Sequence, residues 1–157
     1  MIINYLNIYN NLIKLTRNKK LYLKLEKNDT FSDRLIILFF HFGFFIKYYK
    51  SEIDKDEMQK LFDFIINNIE LSIREVGHGD VLVNKKMKEL INLFYLIIEK
   101  VEFWEKTSLS YKSCLIEDYL NINKNSEYFI DYFEKYRNFL TKNTLNNFSK
   151  DILELKF

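Results

Sequence analysis

The 157-residue sequence contains no proline, three glycines, one cysteine and two histidines. Without proline, nothing in the chain forces a helix to break, so long helical runs are open to it. The single cysteine, Cys114, excludes an internal disulfide framework and suits a reducing compartment. No two of His41, His78 and Cys114 have ligand spacing, so no metal site is expected. The N-terminus lacks the basic leader, apolar stretch and small-residue cleavage site of a secretory signal, and it lacks the Arg/Ser-rich character of a transit peptide. A cytoplasmic protein is therefore expected. Long apolar runs are missing as well. The longest extends from Leu35 to Ile46 between Arg34 and Lys47, short of the roughly 20 residues that cross a bilayer.

What the chain has in quantity is apolar and aromatic surface. At 48% hydrophobic and 17% aromatic residues it is too apolar for disorder and long enough for one domain, residues 1–157. A net charge of +2 is too small to indicate a nucleic-acid binder, and no specific nucleic-acid partner is expected. The charge is uneven, however. Residues 1–28 hold six bases (Lys14, Arg17, Lys19, Lys20, Lys24 and Lys27) against Glu26, a balance of 6 − 1 = +5. Such a segment can face phosphate, an anionic membrane or an acidic partner, or serve as the solvated face of a helix pair.

Periodicity predicts helices throughout, in an all-α fold of a single domain with about six to seven helices. The first spans about Ile3 to Leu15. Thr30 and Asp33 form a capping box that opens onto the apolar run, a buried central helix. A second cap at Asp54 and Glu57 opens a stripe of Met58, Leu61, Phe62, Ile65, Ile69, Ile73 and Val76, spaced 3, 1, 3, 4, 4 and 3. Met87, Leu90, Ile91, Phe94, Ile98 and Val101 form the next stripe. Shorter helices are expected near Ser110–Leu120, from Ser126 to about Leu140, and at the tail from Leu145 to Leu155.

No residue pattern supports catalysis. The acids are spread along helix faces, and Cys114 beside Leu115 reads as a buried, unreactive thiol. His41 reads as a core histidine and His78 as a loop residue. Gly77-His78-Gly79 with Lys85-Lys86 lacks the second glycine and the Lys-Ser/Thr of a phosphate loop, and no strand precedes it. No enzyme activity and no cofactor are expected.

Two of the three glycines nevertheless meet in Arg74-Glu75-Val76-Gly77-His78-Gly79-Asp80-Val81. Gly77 fits the left-handed residue that ends a helix, and Asp80 fits the cap of the next. With Arg74 and Glu75 on one rim and Lys85, Lys86 and Lys88 on the other, the loop is either a docking corner or a tight connection with self-satisfying charges.

Leu71-Ser72-Ile73-Arg74-Glu75-Val76-Gly77-His78-Gly79-Asp80-Val81 resembles the signature of the ubiquinol–cytochrome c chaperone family, roughly S-L-R-E-M-G-V-G-D-L. Val83-Asn84-Lys85-Lys86-Met87-Lys88 and Phe94-Tyr95 resemble the motifs that follow it. Arg17, Tyr22, Asp29-Thr30, Arg34 and His41 occupy the family's upstream positions in order, so the resemblance runs from Leu15 to Tyr95. The chain departs from the family at Ser32-Asp33, where Asp-Gly is usual. It departs again at His78, at Asn84 in place of glycine, and at Leu96-Ile97 in place of Gly-Arg.

The resemblance implies a non-enzymatic assembly factor for respiratory complex III that binds newly made cytochrome b, in mitochondria together with a small partner protein near the ribosomal exit. It implies a partner-binding corner of Arg74, Glu75, Gly77, Gly79, Asp80, Lys85 and Lys86. Asp29, Arg34 and His41 would order the neighbouring helix, as a buried polar cluster with Arg74 or Asp80. A peripheral adaptor on a membrane or ribosome surface, using the basic first segment, is the second reading.

Overall fold

Within residues 3–150, which the computed structural model describes, every regular element is helical. In chain order these are α1 (Tyr5–Thr16), α2 (Lys19–Leu23), α3 (Phe31–Tyr49), α4 (Lys55–Glu75) and α5 (Asp80–Glu102), followed by a 3-10 turn (Trp104–Lys106). The chain continues with α6 (Leu109–Leu120), α7 (Ser126–Lys142) and α8 (Leu145–Phe148). The expected all-α single domain is found. The tail helix is shorter than expected: α8 ends at Phe148 with Ser149 as its cap, and the remainder of that expectation lies outside the described residues.

The central helix starts where sequence placed it. The Thr30 amide donates to Asp33 Oδ2 at 2.9 Å, and the Asp33 amide donates to Thr30 Oγ1 at 3.1 Å. This reciprocal cap satisfies two of the amides that a helix start leaves open. From Leu35 to Phe45 every side chain is buried, and α3 packs chiefly against α5 and α1. Burying each large apolar side chain of that run contributes on the order of 1.5–3 kcal/mol, an upper figure because the unfolded chain is partly collapsed.

His41 sits inside this core and divides its two ring nitrogens between helices. Nδ1 lies 2.7 Å from the Ile37 carbonyl oxygen and Nε2 lies 2.6 Å from the Tyr132 hydroxyl of α7. A carbonyl can only accept, so Nδ1 carries the proton and Nε2 accepts from Tyr132. Burial pushes His41 down to about 4, against the opposing pull of the Ile37 bond, so the ring is neutral. Tyr136 completes the contact by donating to the His41 carbonyl at 3.0 Å.

Two stripes differ from the periodic reading. On α4, Leu61, Ile65, Ile69 and Ile73 are buried, but Val76 is 67% exposed because the chain leaves the helix there. On α5 the buried face is Val83, Met87, Leu90, Phe94, Ile97 and Val101, a 4-3-4-3-4 spacing; Ile91 and Ile98 are only half-buried. Ile97 and Val101 are held inward by close approach to α3, where they flank Gly43 at 3.9 and 3.4 Å from where its Cβ would stand. The cap expected at Asp54 is not made. Its partner Glu57 is taken instead by the Tyr5 hydroxyl of α1 and by Lys60 at 3.0 Å.

A polar clamp closes the far end of α3. Glu105 accepts from Lys47 and Tyr48, and Arg137 of α7 approaches it at 3.8 Å. Burial raises the Glu105 carboxyl, but the hydrogen bonds from Lys47 and Tyr48 outweigh it and hold the group at about 2. Trp104 is fully buried nearby and donates to Glu134 at 2.8 Å.

Candidate docking corner

The turn between α4 and α5 is built by backbone geometry. Val76 caps α4, and Gly77 follows at φ +98°, a region that side chains with a Cβ rarely occupy. Its amide donates to the Arg74 carbonyl at 2.9 Å. Gly79 at ψ 162° is extended, and its carbonyl accepts from the Val83 amide at 2.9 Å to begin α5.

Asp80 does not cap that helix, in contrast to the sequence reading. The N-cap is Gly79, which has no side chain, and Asp80 is the first helical residue. Its carboxylate reaches back across the turn to the Arg74 guanidinium, which also stands 3.7 Å from Glu70 one turn below. Arg74 thus ties the end of α4 to the start of α5, and Asp80 additionally places negative charge at the helix N-terminus, where the dipole favours it. Glu75 and Lys85 are exposed, Lys86 is half-buried, and none of the three has an ion-pair partner among the described residues.

Around this pair lies apolar surface that periodicity did not reveal. Val81 is 87% exposed, with Val76, Leu71 and Leu82 also at the surface. The available signal was Val81-Leu82-Val83 directly after Asp80, three apolar residues in a first helical turn of which only Val83 belongs to the buried stripe. Single exposed apolar residues need no explanation, but here four fall within twelve residues of one bend.

The polar cluster expected of Asp29, Arg34 and His41 does not form as one unit. Arg34 pairs with Asp29 at 2.7 Å on the surface. His41 is fully buried with Ile37 and Tyr132, while Arg74 and Asp80 are engaged with each other and Glu70. Arg34 and His41 lie seven residues apart on α3, and only His41 faces α7. Cys114 is exposed rather than buried. Among the described residues no group of three or more His, Cys, Asp or Glu could hold a metal ion, and no helix is long and apolar enough to cross a membrane.

The departures from the family pattern are also placed. Asp33 is the buried half of the α3 cap. Leu96 is half exposed, while Ile97 is buried in the α3–α5 contact against Gly43, so only Leu96 of this pair meets solvent. His78 is half-buried in the turn and Asn84 is exposed.

No curated protein and no solved structure matches the chain. The family model described as ubiquinol-cytochrome C chaperone matches residues 23–102, just over half of the sequence. That span contains α3, α4, α5 and the whole corner; it begins after Arg17 and Tyr22, which the resemblance had included. The match covers the core helices and the ion-paired turn together, and the chain belongs to the ubiquinol-cytochrome C chaperone family.

Proposed function

We propose that this protein is a non-enzymatic assembly chaperone for respiratory complex III that binds newly made cytochrome b at the α4–α5 corner. It works by binding and timed release, peripherally at the membrane into which that client is inserted. The observation that carries the reading is the corner itself: the family's Arg-Glu, Gly and Gly-Asp residues fold into an ion-paired bend fringed by exposed Leu71, Val76, Val81 and Leu82. An unassembled membrane protein offers apolar segments with charged flanks. An apolar surface flanked by Glu75, Lys85 and the Arg74–Asp80 pair can meet both. Family membership supports the complex III role, and cytochrome b as the client is proposed beyond it.

Deletion of the gene, followed by a difference spectrum of membrane b-type cytochrome, tests the reading. Loss of the complex III signal with other b-type cytochromes intact is expected. Normal complex III levels would overturn it.

A further inference from the structure

α1, α2, the start of α3 and the last part of α4 enclose a cleft of about 940 Å³ that the corner does not use. Its floor is apolar: Leu35, Leu38 and Ile69 are buried and Ile13 is half-buried. Four cations line it, Arg17, Lys19, Lys27 and Arg34, against a single lining carboxylate, Asp29. Lys27 is drawn inward, donating to the Leu120 carbonyl at 2.7 Å and pairing with Asp33 at 3.3 Å. Arg34 keeps Asp29 at 2.7 Å and lies over the Tyr22 ring at 5.9 Å, which fixes its place at the mouth. Arg17 and Lys19 are exposed and have no carboxylate partner among the described residues.

Two large apolar side chains complete the mouth, Leu23 at 74% and Phe31 at 40% exposure. They decide between occupants. An acidic peptide lying in the cleft would satisfy the cations but leave most of Leu23 in water, because that side chain projects outward. A bilayer surface satisfies both sets at once, with phosphate for the cations and the acyl boundary for Leu23 and Phe31. Lys20 and Lys24, exposed on the same short helix and its cap, add to the positive field.

We propose that the cleft is an anionic-phospholipid site, with a headgroup phosphate between Arg17, Lys19 and Arg34 and with Leu23 and Phe31 entering the acyl boundary. The proposal rests on the reading of a chaperone working at a membrane. Ser72 lines the cleft and stands two residues before Arg74, so docking here sets the α4–α5 corner close to the bilayer.

Sedimentation of the full chain with phosphatidylcholine vesicles, with and without about a third phosphatidylglycerol, tests it. Binding is expected only to the anionic vesicles, weakening as salt rises. Arg17→Ala with Lys19→Ala is expected to lower affinity about 30-fold, from roughly 1 kcal/mol per surface cation and tenfold per 1.4 kcal/mol. Lys135→Ala with Lys142→Ala on α7 is expected to leave it within a few-fold. Leu23→Ser, at an exposed position, is expected to weaken binding without changing its salt slope.

Equal losses from both cation pairs would overturn the site. So would binding of inorganic phosphate or polyglutamate with none to vesicles, which would assign the cleft to a free anion or a protein segment. Failure on vesicles with complex III still lost on deletion would remove the lipid site alone and leave the chaperone reading standing.

Discussion

Changing His41 to Gln removes a core group that titrates in the acid range, and its effect on stability can be worked out from the structure. Burial lowers the imidazole from 6.5 to about 4, so the folded protein holds it neutral while the unfolded chain binds its proton readily. The contribution of the neutral ring is therefore fully present above pH 6.5 and is lost as pH falls toward 4. Linkage at 1.36 kcal/mol per pH unit gives a loss of about 2.5 kcal/mol between pH 8 and pH 4.5, rising to about 3.4 kcal/mol at lower pH. Against a typical stability of about 5–15 kcal/mol that is a large share. Glu26, Glu57, Glu105 and Glu134 are all held below the usual carboxylate range, so their contributions begin to be lost as pH falls to about 4.5 in both proteins, and the difference between the two proteins isolates His41. Urea unfolding followed by far-UV circular dichroism at half-unit steps from pH 8 to 4.5 measures it. Over that range the unchanged protein should lose about 2.5 kcal/mol more than His41→Gln. Equal pH dependence in the two proteins would refute the buried neutral ring and its bond to Tyr132.

Gly77→Ala meets no atom within 4 Å, so its cost is that of a Cβ at φ +98°, about 1–2 kcal/mol, or a fall in Tm of roughly 3–8 °C by calorimetry. Arg74→Ala or Asp80→Ala breaks an exposed pair and should cost less than about 1 kcal/mol in urea unfolding, while lowering complex III levels in cells through the distorted corner. Glu105→Gln loosens the clamp on Lys47 and Tyr48. Because the group is partly exposed, about 1 kcal/mol is expected above pH 4.5, with the difference closing as pH falls through about 2.

The parts of this protein legible in its sequence are those governed by near neighbours. Thr30 and Asp33 announce the start of α3 because a capping box needs only three residues of spacing. Gly77 announces the end of α4 because few other residues take its backbone angle. The buried stripe from Leu61 to Ile73 follows from helical period alone. What escaped depends on contacts made across the chain. Tyr132, the partner of His41, lies 91 residues away, and Tyr5 diverts Glu57 from its cap across 52. Ile97 rather than Ile98 faces inward because α5 comes close to α3 at Gly43, and a half-residue drift in period cannot be read without its partner helix. At the corner, residue identities were readable, but their roles were not. Asp80 looked like a cap because position suggested it, whereas Gly79 begins the helix and frees the carboxylate for Arg74. The cleft had no sequence signal beyond the excess of bases in residues 1–28, since two further helices, α3 and α4, are needed to form it.

Photo-crosslinking of newly made cytochrome b tests docking at the corner most directly. A photoreactive amino acid placed at Val81 or Val76, both exposed and outside the core, reports what touches the bend in cells making the respiratory chain. Adducts with cytochrome b from these two positions, and none from Lys135 on α7, are the expected result. Absence of cytochrome b adducts at Val76 and Val81, with the protein folded and abundant, would contradict it.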